Sequence, residues 1–142
     1  TSASRIMPIR WRLLPLKAKG KSEKQKVEHD LKYRCYRFSL EVIRFLRGKR
    51  WEPLSMVLVR QVMRSATSVG ANVIEAKNSS TRLEFKRFYE IALKSCGETK
   101  YWLCLMRDGF EVKDGQLEVL LNEANELSRI LAASILKLKR PK

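Results

Sequence analysis

Apolar residues return along most of this chain with the period of an α-helix. From residue 28 to Gly48, Leu31, Cys35, Phe38, Val42 and Phe45 recur at alternating spacings of four and three, one face of an amphipathic helix. Pro53 punctuates the start of a second run, in which Leu58, Val62, Ala66, Val69, Val73 and Ala76 share a face. Asn78-Ser79-Ser80-Thr81 has turn composition. Thr81-Arg82-Leu83-Glu84 then predicts a capping box, with Thr81 accepting an amide near Glu84 and Glu84 accepting the Thr81 amide in return. The third run carries Phe85, Phe88, Ala92, Thr99, Leu103 and Met106, and stops at Asp108-Gly109. Asp114 can cap the fourth, whose face is Leu117, Leu121, Ala124, Ser128, Leu131, Ile135 and Leu138. Its acids Glu118 and Glu123 come early and its bases Lys137, Lys139 and Arg140 late, as the helix dipole favours. No stretch alternates with period two. The pattern predicts an all-α protein, an antiparallel up-down-up-down four-helix bundle over residues 28–142, with a long hairpin-hairpin coiled coil as the competing architecture.

Residues 1–27 break the pattern. Pro8, Pro15, Gly20 and a Lys/Ser/Gln run leave no sustained apolar period, so this segment reads as a basic N-terminal arm. The chain as a whole has 142 residues, about one domain, and 30 basic against 15 acidic side chains give it a net charge of +15. Such an excess makes a polyanion the expected partner. The longest apolar runs are far too short to cross a membrane. Arg10, Arg12 and Pro15 interrupt the only candidate for a signal-peptide core, IRWRLLPL. Cys35, Cys96 and Cys104 are odd in number and lack metal-ligand spacing, as expected of reduced core thiols in a cytoplasmic protein. His29 is the single histidine, so neither a zinc site nor a Glu-x-x-His di-iron centre can be assembled around it. Phosphate-cradling and nucleophile-elbow motifs are missing too. The expectation is a protein with no metal, no cofactor and no enzymatic activity.

The candidate contact residues are basic. Arg34, Arg37, Arg44 and Arg47 form a stripe on the first helix, interrupted by Glu41, and Lys49, Arg50, Arg60 and Arg64 extend it toward the second. In the arm, Arg10, Trp11 and Arg12 combine cations with a ring that can stack on a base, followed by Lys17, Lys19 and Lys21. These positions predict contacts to nucleic-acid phosphates, which read shape rather than sequence. The bland alternative for the stripe is a solvated face.

The second helix poses a separate question at SVGANVIEAKNSS, residues 68–80. Glycine in a helix interior costs about 1 kcal/mol relative to alanine. Close helix packing at Gly70 is the expected reason, against the small patch Ser95-Cys96-Gly97 of the third helix. Asn72 and Glu75, with Ser65 and Ser68, make a polar edge that faces either solvent or a polar partner. Glu90 and Glu98 are expected to pair with bases across helices or subunits, and Tyr101-Trp102 suits an interface or the core.

Those residues carry a resemblance. Ser68, Gly70, Ala71, Asn72, Val73 and Glu75, then Phe85, Phe88, Glu90, Ala92, Leu93 and Ser95, then Glu98 and Leu103, resemble the four-helix-bundle family encoded in intervening sequences of bacterial 23S ribosomal RNA genes. The match covers roughly residues 28–138 and leaves the arm outside. It implies an antiparallel bundle, often a ring-like homopentamer, without known enzymatic activity. The same superfamily includes the accessory variability determinant of diversity-generating retroelements, a basic pentamer that binds a reverse transcriptase and its template RNA. The resemblance therefore implies RNA, or an RNA–DNA hybrid, and a reverse transcriptase as partners. The motif block itself is closer to the intervening-sequence branch. A structural oligomer that binds an acidic protein partner is the alternative.

Overall fold

The computed structural model describes residues 31–140. The arm, with Arg10, Trp11, Arg12, Lys17, Lys19 and Lys21, lies outside the described residues, as does His29. Four helices follow one another: α1 (Leu31–Arg47), α2 (Met56–Asn78), α3 (Arg82–Gly109) and α4 (Gly115–Lys139), with a 3-10 turn at Pro53–Ser55 leading into α2. No strand occurs among the described residues. The connections are short, which forces neighbours to run antiparallel. Each helix packs on the next, and α4 packs back on α1, closing the ring of a four-helix bundle. That closure rules out the hairpin-hairpin coiled coil.

The apolar faces read from the sequence meet in one core. Cys35, Phe38, Val42, Val62, Ala66, Val69, Val73, Leu103, Met106, Leu117, Ala124 and Leu131 are fully buried. Tyr89, Leu120 and Leu127 join them, while Phe85, Phe88 and Leu58 pack only partly buried at the margin. The seam between α2 and α3 is polar. Thr99 donates to Ser65 (2.9 Å), Ser95 to Ser68 (3.0 Å), and Asn72 Nδ2 to the Ser68 carbonyl and hydroxyl (2.8 and 2.9 Å). The serines of the polar edge of α2 thus face α3, while Asn72 is tied back to Ser68 within its own helix and Glu75 is exposed.

Gly70 does mark a close approach, but to a different helix. A Cβ built on it would lie 3.2 Å from Cys35 Cβ on α1, whereas Gly97 is exposed and a Cβ there would meet nothing. Small residues announce that a backbone comes near without saying which one. The caps are largely as read. Thr81 accepts from the Glu84 amide at 3.1 Å, and Asp114 accepts from the Gln116 amide at 2.9 Å. Glu84, however, returns to the amide of Ser80 (3.2 Å), one residue before the cap.

Candidate nucleic-acid interface

The structure divides the basic stripe in two. Arg34 is bound bidentately by Glu123 of α4, through Nε (3.0 Å) and Nη2 (2.7 Å). That hydrogen bond raises the already high pKa of the guanidinium, and the pair ties α1 to α4. Arg37 lies 3.6 Å from Glu41, Lys49 2.5 Å from Asp114, and Arg64 2.5 Å from Glu98 of α3. These four basic groups are partly neutralised in place. The interhelical pairing of Glu98 is the one read from the sequence; Glu90 instead pairs within its own helix, with Lys86 at 3.5 Å.

Arg44, Arg47, Arg50 and Arg60 remain. All four are exposed, and none has an acidic partner among the described residues. They gather at one end of the bundle: the last turns of α1, the α1–α2 connection and the second turn of α2. Helical spacing placed these side chains on one face, but only the folded bundle decides which of them meet acids from α3 and α4. Spacing within one helix carries no record of the neighbour's charges.

The α3–α4 connection comes alongside this end and adds groups that helical periodicity did not single out. Lys113 is exposed there, and Glu111 holds a left-handed backbone (φ 55°) while the Val112 amide returns to the Met106 carbonyl at 3.2 Å. Two open clefts flank the Lys49–Asp114 bridge, of about 370 Å³ beside Arg44 and Phe45 and about 510 Å³ beside Arg50, Trp51 and Phe110. Asp114 is held below the usual carboxylate range, first by the hydrogen bond from Lys49 and then by the Gln116 amide. Beyond the second cleft, Arg107 does the same to Asp108.

Other motif positions are structural or exposed. Ser68 and Asn72 belong to the polar seam, and Ala71 and Glu75 face outward. Tyr101 is exposed, with its ring edge-on to the half-buried Trp102 at 5.1 Å; the buried Nε1 of Trp102 has no hydrogen-bond partner. Most of the exposed large apolar side chains, Leu54, Val57, Met63, Leu83, Ile91 and Tyr101, belong to α2, α3 and the turn before α2. Val119 and Leu136 on α4 complete the set, and α1 contributes none. Among the described residues no three His, Cys, Asp or Glu side chains converge on a metal position, and no helix is long and apolar enough to cross a membrane.

This basic-ended bundle can be set beside known proteins. Residues 28–133 match the model of the 23S rRNA-intervening sequence protein family. Among solved structures, a protein of unknown function from the S23 ribosomal protein family of Bacteroides thetaiotaomicron VPI-5482 is similar, with a TM-score of 0.66 and 29% identity. The similarity covers 74% of this chain and 97% of that one. No curated protein matches. The chain belongs to the 23S rRNA-intervening sequence protein family.

Proposed function

We propose that this protein is a non-enzymatic, homo-oligomeric bundle that binds structured RNA through the phosphate backbone. Within that reading it acts in the cytoplasm as an intervening-sequence protein, or as an accessory adaptor to a reverse transcriptase in a diversity-generating retroelement, where RNA or an RNA–DNA hybrid is the ligand. The observation that carries it is the group of exposed arginines that form no ion pair among the described residues, Arg44, Arg47, Arg50 and Arg60, at one end of the bundle in a chain with net charge +15. Arginine forks suit phosphate oxygens, and each phosphate neutralised releases counterion, so affinity should fall steeply with salt. The basic arm would add to the same footprint. A second reading, a scaffold for an acidic protein partner, draws on the exposed apolar side chains of α2 and α3.

Filter binding of a structured RNA at two salt concentrations tests the proposal. Replacing Arg44, Arg47, Arg50 and Arg60 by Gln should weaken binding similarly across unrelated RNAs and flatten the salt dependence. Gln has nearly the helix propensity of Arg, so the fold should survive. Removal of residues 1–26 should do likewise. Undetectable binding by the wild type at the lower salt would sink the RNA reading and favour the protein-partner one.

A further inference from the structure

The cleft of about 510 Å³ between the α1–α2 and α3–α4 connections holds more than phosphate chemistry. Two aromatic side chains, Trp51 and Phe110, line it together with Lys49, which is bridged to Asp114, two further cations, Arg50 and Lys113, and two carboxylates, Glu52 and Glu111. Arg50, Lys113, Glu52 and Glu111 form no ion pair among the described residues. Resting on the RNA reading above, we propose that this cleft receives a single unpaired base of the bound RNA, guanine in preference to uracil.

The volume lies in the range of pockets that hold small ligands. Trp51 is anchored before any ligand arrives: its Nε1 donates to the Leu46 carbonyl at 2.8 Å, and its ring packs edge-on to Phe45 with centroids 6.0 Å apart. A ring fixed in this way loses little freedom when a base stacks on it. Glu111 is the second unusual feature. Its φ of 55° lies where an L side chain is disfavoured and glycine is not, yet the position carries a carboxylate beside the cleft. A free carboxylate repels phosphate, so Glu52 and Glu111 gain nothing from the RNA backbone. They suit a base edge instead. Guanine presents N1–H and N2–H side by side, which match the two oxygens of one carboxylate. Uracil presents a single N–H between two carbonyls, and those carbonyls face the carboxylate unfavourably. Arg50 and Lys113 are then left for the phosphates on either side of the extruded nucleotide.

The experiment compares three RNA hairpins that differ only in the stem: uninterrupted, with one bulged guanosine, or with one bulged uridine. The wild type should bind the guanosine bulge about tenfold tighter than the uninterrupted stem, the size of one stacked and hydrogen-bonded base, with the uridine bulge well below it. Trp51→Leu should abolish the preference for either bulge. Because Trp51 also packs on Phe45, the double variant Glu52→Gln, Glu111→Gln serves as an independent probe. It should bring guanosine and uridine bulges to similar affinity while binding to the uninterrupted stem holds or rises. Equal binding of all three hairpins by the wild type overturns the base pocket and leaves backbone binding standing. Failure to bind any of them overturns both.

Discussion

Gly70 shows how one missing methyl group sets the distance between two helices. With Cys35 Cβ only 3.2 Å from where its own Cβ would stand, any side chain at Gly70 presses on α1 rather than into solvent. Gly70→Leu should cost about 1–3 kcal/mol or more through overpacking, read as a lower melting temperature. Gly70→Ala gains roughly 1 kcal/mol of helix propensity and loses some of it to the crowding, so its midpoint should stay near wild type. The crowding is with the Cys35 Cβ, so Cys35→Ala should not relieve it and Cys35→Gly should. Glu111 is the opposite case: Glu111→Gly should raise the melting temperature by relieving left-handed strain of about 1 kcal/mol. A fall on that substitution would show that the Glu111 side chain contributes more to the fold than its backbone strain removes. The buried thiols give an alkaline limit. Burial pushes Cys35 far above an ordinary thiol, Cys96 up to about 11 and Tyr89 up to about 12. In the unfolded chain thiols ionise near about pH 8.5. The stability that Cys96 contributes is therefore complete below that pH and lost as pH rises through about 11, while burial of Cys35 and Tyr89 carries the loss to higher pH. Denaturant midpoints should be flat through neutrality and drop beyond about pH 9, with a shallower drop in Cys96→Ala.

At the scale of the element, helix ends do much of the ordering. Thr81→Ala removes the acceptor for the Glu84 amide and should cost about 1 kcal/mol. The last carbonyls of α4 are satisfied from another helix: the Arg82 guanidinium donates to those of Lys137, Leu138 and Arg140 at 3.2–3.3 Å. Arg82→Ala should fray the end of α4, visible as faster amide exchange there and not in α1. Asp114 caps α4 and pairs with Lys49, which holds its pKa down. Its contribution is present above the ordinary carboxylate range and is lost as pH falls through the lowered folded value. Asp114→Asn keeps an N-cap acceptor but removes the charge, so it should flatten the acid limb of the stability profile and lower neutral stability by the amount the ionised pair contributes.

For the whole molecule, charge and apolar surface pull in opposite directions. The described residues include 21 bases and 12 acids, a surplus that opposes self-association. The apolar side chains exposed on α2 and α3 favour being covered. If the protein is the proposed oligomer, light scattering should report several copies per particle, with five preferred, and added salt should strengthen assembly by screening the repulsion. A clean monomer at micromolar concentration in moderate salt would remove the ring.

The four helices, their boundaries and most of the core were legible in the chain because a 3.6-residue period and end caps are local properties. So was the excess of positive charge. Which charges remain available was not legible. Arg34 and Arg64 read like Arg44 and Arg47 along the sequence, yet Glu123 and Glu98 pair with the first two, while the other two form no ion pair among the described residues. Gly70 likewise declared a close contact without naming α1, and the polar edge of α2 could not announce Ser95 and Thr99 as its partners. Residue spacing along one helix determines what lies on a face. What that face meets depends on the register and order of the neighbouring helices, set when all four apolar faces are buried together, and only the tertiary structure decides it.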